Sequence, residues 1–298
     1  MPTFGNPTIP IDKDILDIIN YDFYAIVHLA ALSNDPLGTL NEQLTYDINH
    51  LASVNIAKIA KEIGIERFIF ASSCSLYGQG YSEALTEKSL PNPQTAYGKS
   101  KILAENDISK LADGKFSPTY MRNATAFGFS PRMRFDIVVN NLSGFAKVEK
   151  EIKILGDGKP WRPLVHVKDI SKAILKVLQS NKELIHNEIF NVGSSEENYQ
   201  INSIAKHCQK FFKDCNISVA QKNLEDTRNY NVSFNKIQEK LDFRIDYTLD
   251  KGLSDLKEIY EFIDLQNEDF YNKLYTRLKQ INYLIDKNLI NKELRWTL

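Results

Sequence analysis

The sequence predicts an α/β fold: a doubly wound parallel sheet with helices on both faces, followed by a smaller C-terminal α/β region. Three observations carry this. Short apolar runs of strand length alternate with segments of helical periodicity along most of the 298 residues, the pattern of successive strand–helix units. The apolar runs end in small or hydroxyl-bearing residues, as buried parallel strands do where they open into loops. The helical segments also carry stop signals.

The first strand is Tyr24 to Ala31, an apolar run ending in small residues, and a loop from Ser33 to Gly38 follows. Leu44 to Gly64 reads as a helix because Ile48, Leu51, Ala52, Ile56, Ile59, Ala60 and Ile63 recur at helical spacing and Gly64 sits where a C-cap belongs. Arg67 to Ser72 is a second strand, Tyr97 to Leu111 a helix, Pro118 to Thr125 a strand, and Val167 to Gln179 a helix entered from Pro163 to His166. Glu188 to Val192 is a further strand, and helices are expected at Ile201 to Phe212, Phe234 to Leu241 and Leu249 to Phe262. Beyond that, Phe270, Leu274, Leu278, Ile281, Leu284 and Ile285 punctuate a polar stretch, which predicts an amphipathic helical tail packed on the body or on a partner subunit. The expected division is a first sheet domain over 1–150, a second region over 151–265 with 163–192 returning to the first, and the tail over 266–298.

A formal net charge of -1 offers no basic excess for nucleic acid or an anionic membrane, so an anionic ligand has to be met by a few placed residues. Cys74, Cys208 and Cys215 are odd in number and form no CxxC pair, which suits a reducing compartment. No window reaches the roughly 18 apolar residues of a membrane span, and Asp12, Asp14 and Asp17 stand where a signal peptide would be basic and then apolar. A cytoplasmic protein is expected. No metal site is assigned: Cys208 and Cys215 are read as sharing a helix face, Cys74 as a small buried thiol, and His28 and His166 as hydrogen-bonded structural residues. The basic residues from Lys147 to Lys153 are read as solvated surface.

Tyr97 and Lys101, at i and i+4 on a helix, face the same way. A phenol with a pKa near 10 is a poor base at neutral pH, and an ammonium beside it favours the phenolate. That pairing suits removal of a proton from a sugar hydroxyl. Upstream, Ala71-Ser-Ser-Cys-Ser-Leu-Tyr-Gly78 is a strand end that delivers hydroxyls into a loop.

The ordered set His28-Leu-Ala-Ala31, Asn49 on a helix, Ser72-Ser-Cys-Ser-Leu-Tyr-Gly78, Tyr97-Gly-Lys-Ser-Lys101, Arg122-Asn-Ala-Thr-Ala-Phe-Gly128 and Arg162-Pro-Leu-Val-His-Val-Lys-Asp169 resembles the extended short-chain dehydrogenases of the NAD-dependent nucleotide-sugar epimerase and dehydratase type, such as the UDP-galactose 4-epimerases. The resemblance implies a Rossmann-like dinucleotide-binding domain over 1–150, a substrate-binding region after it, NAD or NADP as cofactor, and a nucleotide-sugar as ligand. It implies Tyr97 as base, Lys101 as the residue that holds the nicotinamide ribose and lowers the Tyr97 pKa, and Ser73 as hydrogen-bond partner of the sugar hydroxyl. Leu29, Ala30, Ala31, Asn49 and Asn123 are implied on the cofactor, with Tyr97 and Lys101. Ser33, Ser75, Thr125, Asn141, Arg162 and Arg228 are implied on the substrate, the two arginines as bidentate donors to a diphosphate. A homodimer through the helices Leu44 to Gly64 and Tyr97 to Leu111 is implied as well.

Two departures shape the expectation. Cys74 and Ser75 stand where the 4,6-dehydratases of this family carry an Asp-Glu pair, and neither can act as that acid and base, which disfavours such a dehydratase. A C4 epimerase and a ketosugar reductase stay open, as does a non-catalytic relative. The family's opening strand, GxxGxxG turn and helix also have no counterpart in the sequence. The expectation is therefore an N-terminally truncated Rossmann-like domain with an exposed edge at the Tyr24 strand and weakened dinucleotide binding.

Overall fold

The computed structural model describes residues 22–33, 35–38, 40–79, 84–220 and 228–297. The opening segment Phe4 to Asp12, Asn34 in the expected loop, and Asp226 and Thr227 lie outside them. The main sheet has four parallel strands, β1 (Ala25–His28), β2 (Arg67–Ser73), β3 (Ser117–Asn123) and β7 (Glu188–Val192), in that order. Successive side chains of a strand point to opposite faces, and the two faces have separate cores. Phe68, Phe70 and Tyr120 pack with Val54, Ala57, Ala104 and Ile108, whereas Ile69, Met121 and Phe190 pack with Val165, Ala173, Val177 and Ile237. Among the described residues β1 pairs only with β2, so its other edge has no strand beside it.

Between these strands run α1 (Asp35–Gly38), α2 (Glu42–Tyr46), a π-helical turn over Asp47–Leu51, α3 (Ala52–Glu62) and α4 (Ala96–Ser109). Gly64 does end α3, with φ of 82°, which a residue without Cβ adopts freely. Beyond Ala96 and Gly98 in its first turn, α4 buries Tyr97, Ser100, Lys101, Ala104, Glu105 and Ile108, one stripe at helical spacing. The stripe that anchors the helix therefore also carries its phenol and amine inward.

A second layer holds β4 (Thr125–Phe127), β6 (Trp161–His166) and β8 (Asn198–Gln200) in one sheet, and β5 (Glu151–Leu155) with β9 (Asn216–Ala220) in another. Around them pack α5 (Val138–Val148), α6 (Val167–Gln179), α7 (Lys182–Ile185), α8 (Ile201–Phe211), α9 (Asn235–Leu241) and α10 (Leu249–Phe262). Phe127, Phe135, Val139, Ile152, Ile204, Leu253, Tyr260 and Phe270 form the core of this half.

Several expectations are corrected. The first strand stops at His28, because the chain turns away over Leu29 to Ala31. The expected helix at Leu44 to Gly64 is broken by the π-turn, and part of the expected loop, Asp35–Gly38, is helical. Pro118 to Thr125 is two strands in different sheets, β3 and β4, and Pro163 to His166 belongs to strand β6. The basic stretch near Lys153 is not plain surface: β5 buries Ile152 and Ile154 on alternate positions. Cys208 lies on α8, but Cys215 lies past its end, so the two share a core and not a helix face. The tail divides into α11 (Asn267–Phe270), a 3-10 turn over Lys273–Tyr275 and α12 (Arg277–Asp286), then an Ile290–Trp296 bridge.

Candidate active site

Parallel strands end at one edge of a sheet, and ligands of such folds sit beyond the carboxyl ends. Here the register pairs Ser73 with Asn123 at the ends of β2 and β3. Beyond them lies a cavity of about 610 Å³ between the main sheet and the second layer. Leu29, Ala31, Ser33, Ser73, Ser75, Tyr97, Lys101, Asn123, Thr125, Asn141, Arg162 and Arg228 line it. Ala30 is exposed on the turn after β1 and does not line it. Asn49 is also outside: it is wholly buried, accepts from Leu32 N at 2.8 Å and donates to Leu32 O and Ser100 Oγ, both at 3.2 Å. Its side chain thus holds the turn that presents Ala31 and Ser33 and does not line the cavity.

Local chemistry places the central groups. Thr95 caps α4, accepting from Gly98 N at 3.3 Å and donating to Asp35 Oδ1. Gly38 of α1 lies so close that a Cβ there would stand 3.0 Å from Tyr97 Cβ. Gly78, after the hydroxyl-bearing segment, has φ of 62°, and a Cβ there would collide with Asn92 O at 1.8 Å, so only glycine fits the turn. Tyr97 is 8% exposed, and burial pushes its phenol up to about 12 while a hydrogen bond with Ser73 pulls it down. Ser73 Oγ donates to Ser75 Oγ at 3.1 Å.

Lys101 Nζ donates to Ala71 O at 2.7 Å and lies 4.6 Å from the Phe70 ring centroid and 5.9 Å from that of Tyr97. Burial lowers its pKa from 10.5 to about 8, against the opposing Glu105 carboxylate. Below pH 8 both folded and unfolded chains hold this proton, and the folded chain bears the cost of a buried ammonium. Between about 8 and 10.5 the unfolded chain binds more protons, so stability gains as pH rises. Relative to Lys101→Met, the wild type is expected to gain on the order of 3 kcal/mol from pH 7 to pH 10.5. Denaturant unfolding of both across that range tests it; parallel curves would refute the assignment.

Asn123 Oδ1 is a buried acceptor with no hydrogen-bond partner among the described residues, on the cavity wall beside Ser73. An amide donor of a ligand would satisfy it, so these residues fit the carboxamide of a nicotinamide. Arg162 donates to the carbonyls of Trp161 at 2.8 Å and Arg228 at 2.7 Å and lies over the Tyr230 ring. Arg228 forms an ion pair with Asp35, and Asn141 donates to Phe135 O at 2.9 Å. Sequence reasoning missed Asp35, Arg134, Asp136, Lys153 and Tyr230 on the cavity wall. The Arg134-Phe-Asp136 spacing was the available signal for one ion pair, but nothing local marks its position at the cavity. Cys74 points away, donating to Arg122 O, and burial holds its thiol far above the usual range. His28 bonds Ser53 Oγ at 2.8 Å, and burial lowers it to about 4. His166 caps α6 and stacks on Tyr247.

The model of the NAD dependent epimerase/dehydratase family matches residues 10–193. A putative UDP-glucose 4-epimerase of Methanocaldococcus jannaschii is 31% identical over 192 residues, 62% of this chain and 61% of that protein. The UDP-glucuronate 4-epimerase of Thermodesulfobacterium geofontis is 27% identical over 187 residues, 62% of this chain and 55% of that protein. The chain thus spans less than two thirds of the length of each of these two curated relatives. The UDP-glucose 4-epimerase of Thermotoga maritima, solved with UDP-glucose, shares the fold with a TM-score of 0.76 at 22% identity, over 85% of this chain and 83% of that one.

Proposed function

Because this chain belongs to the NAD dependent epimerase/dehydratase family, we propose that the cavity is the active site of a C4 epimerase acting on a UDP-linked hexose. The observation that carries the reading is the meeting of Tyr97, Ser73, Lys101 and the unpartnered Asn123 Oδ1 on one wall. UDP-glucose is the substrate to test first, as the Methanocaldococcus jannaschii and Thermotoga maritima relatives are named for it.

In this reading residues 1–150 with 163–192 carry the cofactor side, the rest of 151–265 the substrate side, and 266–298 is a tail. Bound NAD or NADP supplies the hydride acceptor and donor, and positive charge in its oxidised ring. Tyr97 takes and returns the hydroxyl proton at its phenolic oxygen, Ser73 orients that hydroxyl, and Lys101 adds positive potential beneath the phenol. Asn123 holds the carboxamide, and Ala31 leaves room for the cofactor. Asn141, Arg162 and Arg228 hold the diphosphate, Arg228 exchanging its Asp35 contact for phosphate oxygens. Ser75 and Thr125 meet the sugar. The protein is read as a cytoplasmic homodimer with no metal; the partly exposed Leu51 and Leu103, beside α3 and on α4, support the pairing surface. Among the described residues no helix is long and apolar enough to cross a membrane.

Incubation with UDP-glucose and catalytic NAD is expected to yield UDP-galactose without net accumulation of NADH. Net consumption of NADPH with loss of a ketosugar would identify a reductase instead.

A further inference from the structure

Ser33 follows the small-residue turn after β1 and lines the cavity. Its oxygen accepts from two guanidinium groups that are far apart in sequence: Arg277 Nη1 at 2.9 Å, from the first residue of α12, and Arg134 Nη1 at 3.4 Å, from the segment between β4 and α5. A serine hydroxyl has two lone pairs and one proton. With both lone pairs engaged by cationic donors, the hydroxyl can act on a ligand only by donating, and two positive charges polarise its proton.

The charges around it are unbalanced. Among the described residues, Arg132, Arg134 and Arg277 stand near one carboxylate, Asp136, whose two oxygens accept from Arg134 at 2.8 and 3.0 Å. Arg277 Nε is shielded from solvent and has no hydrogen-bond partner among the described residues, and burial together with the neighbouring arginines lowers the pKa of Arg277. Cations gathered beyond their counter-charge favour an anion among them.

We propose that Arg277 of the C-terminal tail is a positioning residue that, with Arg134, fixes Ser33 as a hydrogen-bond donor to an anionic oxygen of the bound nucleotide sugar. The proposal rests on the cavity being a nucleotide-sugar site. It makes the tail part of that site. The anionic oxygen belongs either to a carboxylate on the sugar or to the diphosphate.

Calorimetric titration of the full chain with UDP, UDP-glucose and UDP-glucuronate separates the cases. Arg277→Met and Ser33→Ala are each expected to weaken binding by about tenfold or more, with Arg277→Lys recovering part of the loss. Weakening of all three ligands identifies the diphosphate, and weakening of UDP-glucuronate alone identifies a sugar carboxylate. Ser33→Ala leaves both arginines and the tail contacts in place, so it separates positioning from folding. If Arg277→Met weakens binding while Ser33→Ala does not, or if both stay within twofold of a wild type that binds, the proposal is overturned and the cavity reading stands. If the wild type binds none of the three, the cavity reading itself falls and the proposal with it.

Discussion

Tyr97→Phe is expected to lower kcat for epimerisation by about 10²–10⁴-fold, the usual contribution of a positioned acid–base group, with ligand affinity within a few-fold of wild type. The ring stays, so the packing against Gly38 and the α4 stripe is kept; only the proton-carrying oxygen is lost. The ligand-free phenol, raised to about 12 by burial, is roughly one part in 10⁵ ionised at pH 7. The wild-type rate should therefore rise with pH across the neutral range, while the residual rate of Tyr97→Phe stays flat there. Steady-state kinetics of both proteins from pH 6 to pH 9 make the comparison, and a variant within threefold of wild type would remove Tyr97 from the chemistry.

The largest expected effect on stability lies beneath the site. Glu105, on the same helix stripe, is 4% exposed and accepts from Arg122 Nε at 3.0 Å and Nη2 at 2.6 Å, and from Ser72 Oγ. Arg122 Nη1 donates to the Tyr77 hydroxyl at 3.0 Å, which donates to Asn191 Oδ1 at 2.8 Å. The network ties α4 to β2, β3 and β7. Removing one partner leaves a buried, uncompensated charge, and Glu105→Ala is expected to cost about 3–5 kcal/mol, lowering the melting midpoint by on the order of 10 °C. The paired Glu105→Met, Arg122→Met variant buries no lone charge and should be more stable than either single change. Thermal melts of the wild type, Glu105→Ala, Glu105→Met, Arg122→Met and the double variant decide this; a double variant that melts below both methionine singles would show that the pair itself, and not an orphaned charge, accounts for the loss.

Much of the site was legible because catalytic residue types stood in order along the chain. Tyr97 and Lys101 were readable as a pair because helical spacing alone puts i and i+4 on one face. The strand end showed hydroxyls delivered into a loop, and the family resemblance singled out Ser73 among them. Asn49 was implied on the cofactor by the family resemblance alone, and its side chain is bonded to the Leu32 backbone outside the cavity lining, an outcome that depends on where the β1 turn lies and not on any local pattern. The π-turn at Asp47–Leu51 and the switch of sheets between Asn123 and Thr125 escaped detection, since neither interrupts apolar periodicity.

By itself the sequence determined the strand–helix alternation, the stripe of α4 and the set of groups available for proton transfer, because each depends on spacings of a few residues. Only the tertiary structure decided that Arg277 reaches Ser33 across 244 positions, that Asp35 takes Arg228, and that Asn123 keeps an unmet acceptor at the wall. Those outcomes depend on how two sheets and a tail close on one another, and no local spacing encodes that closure.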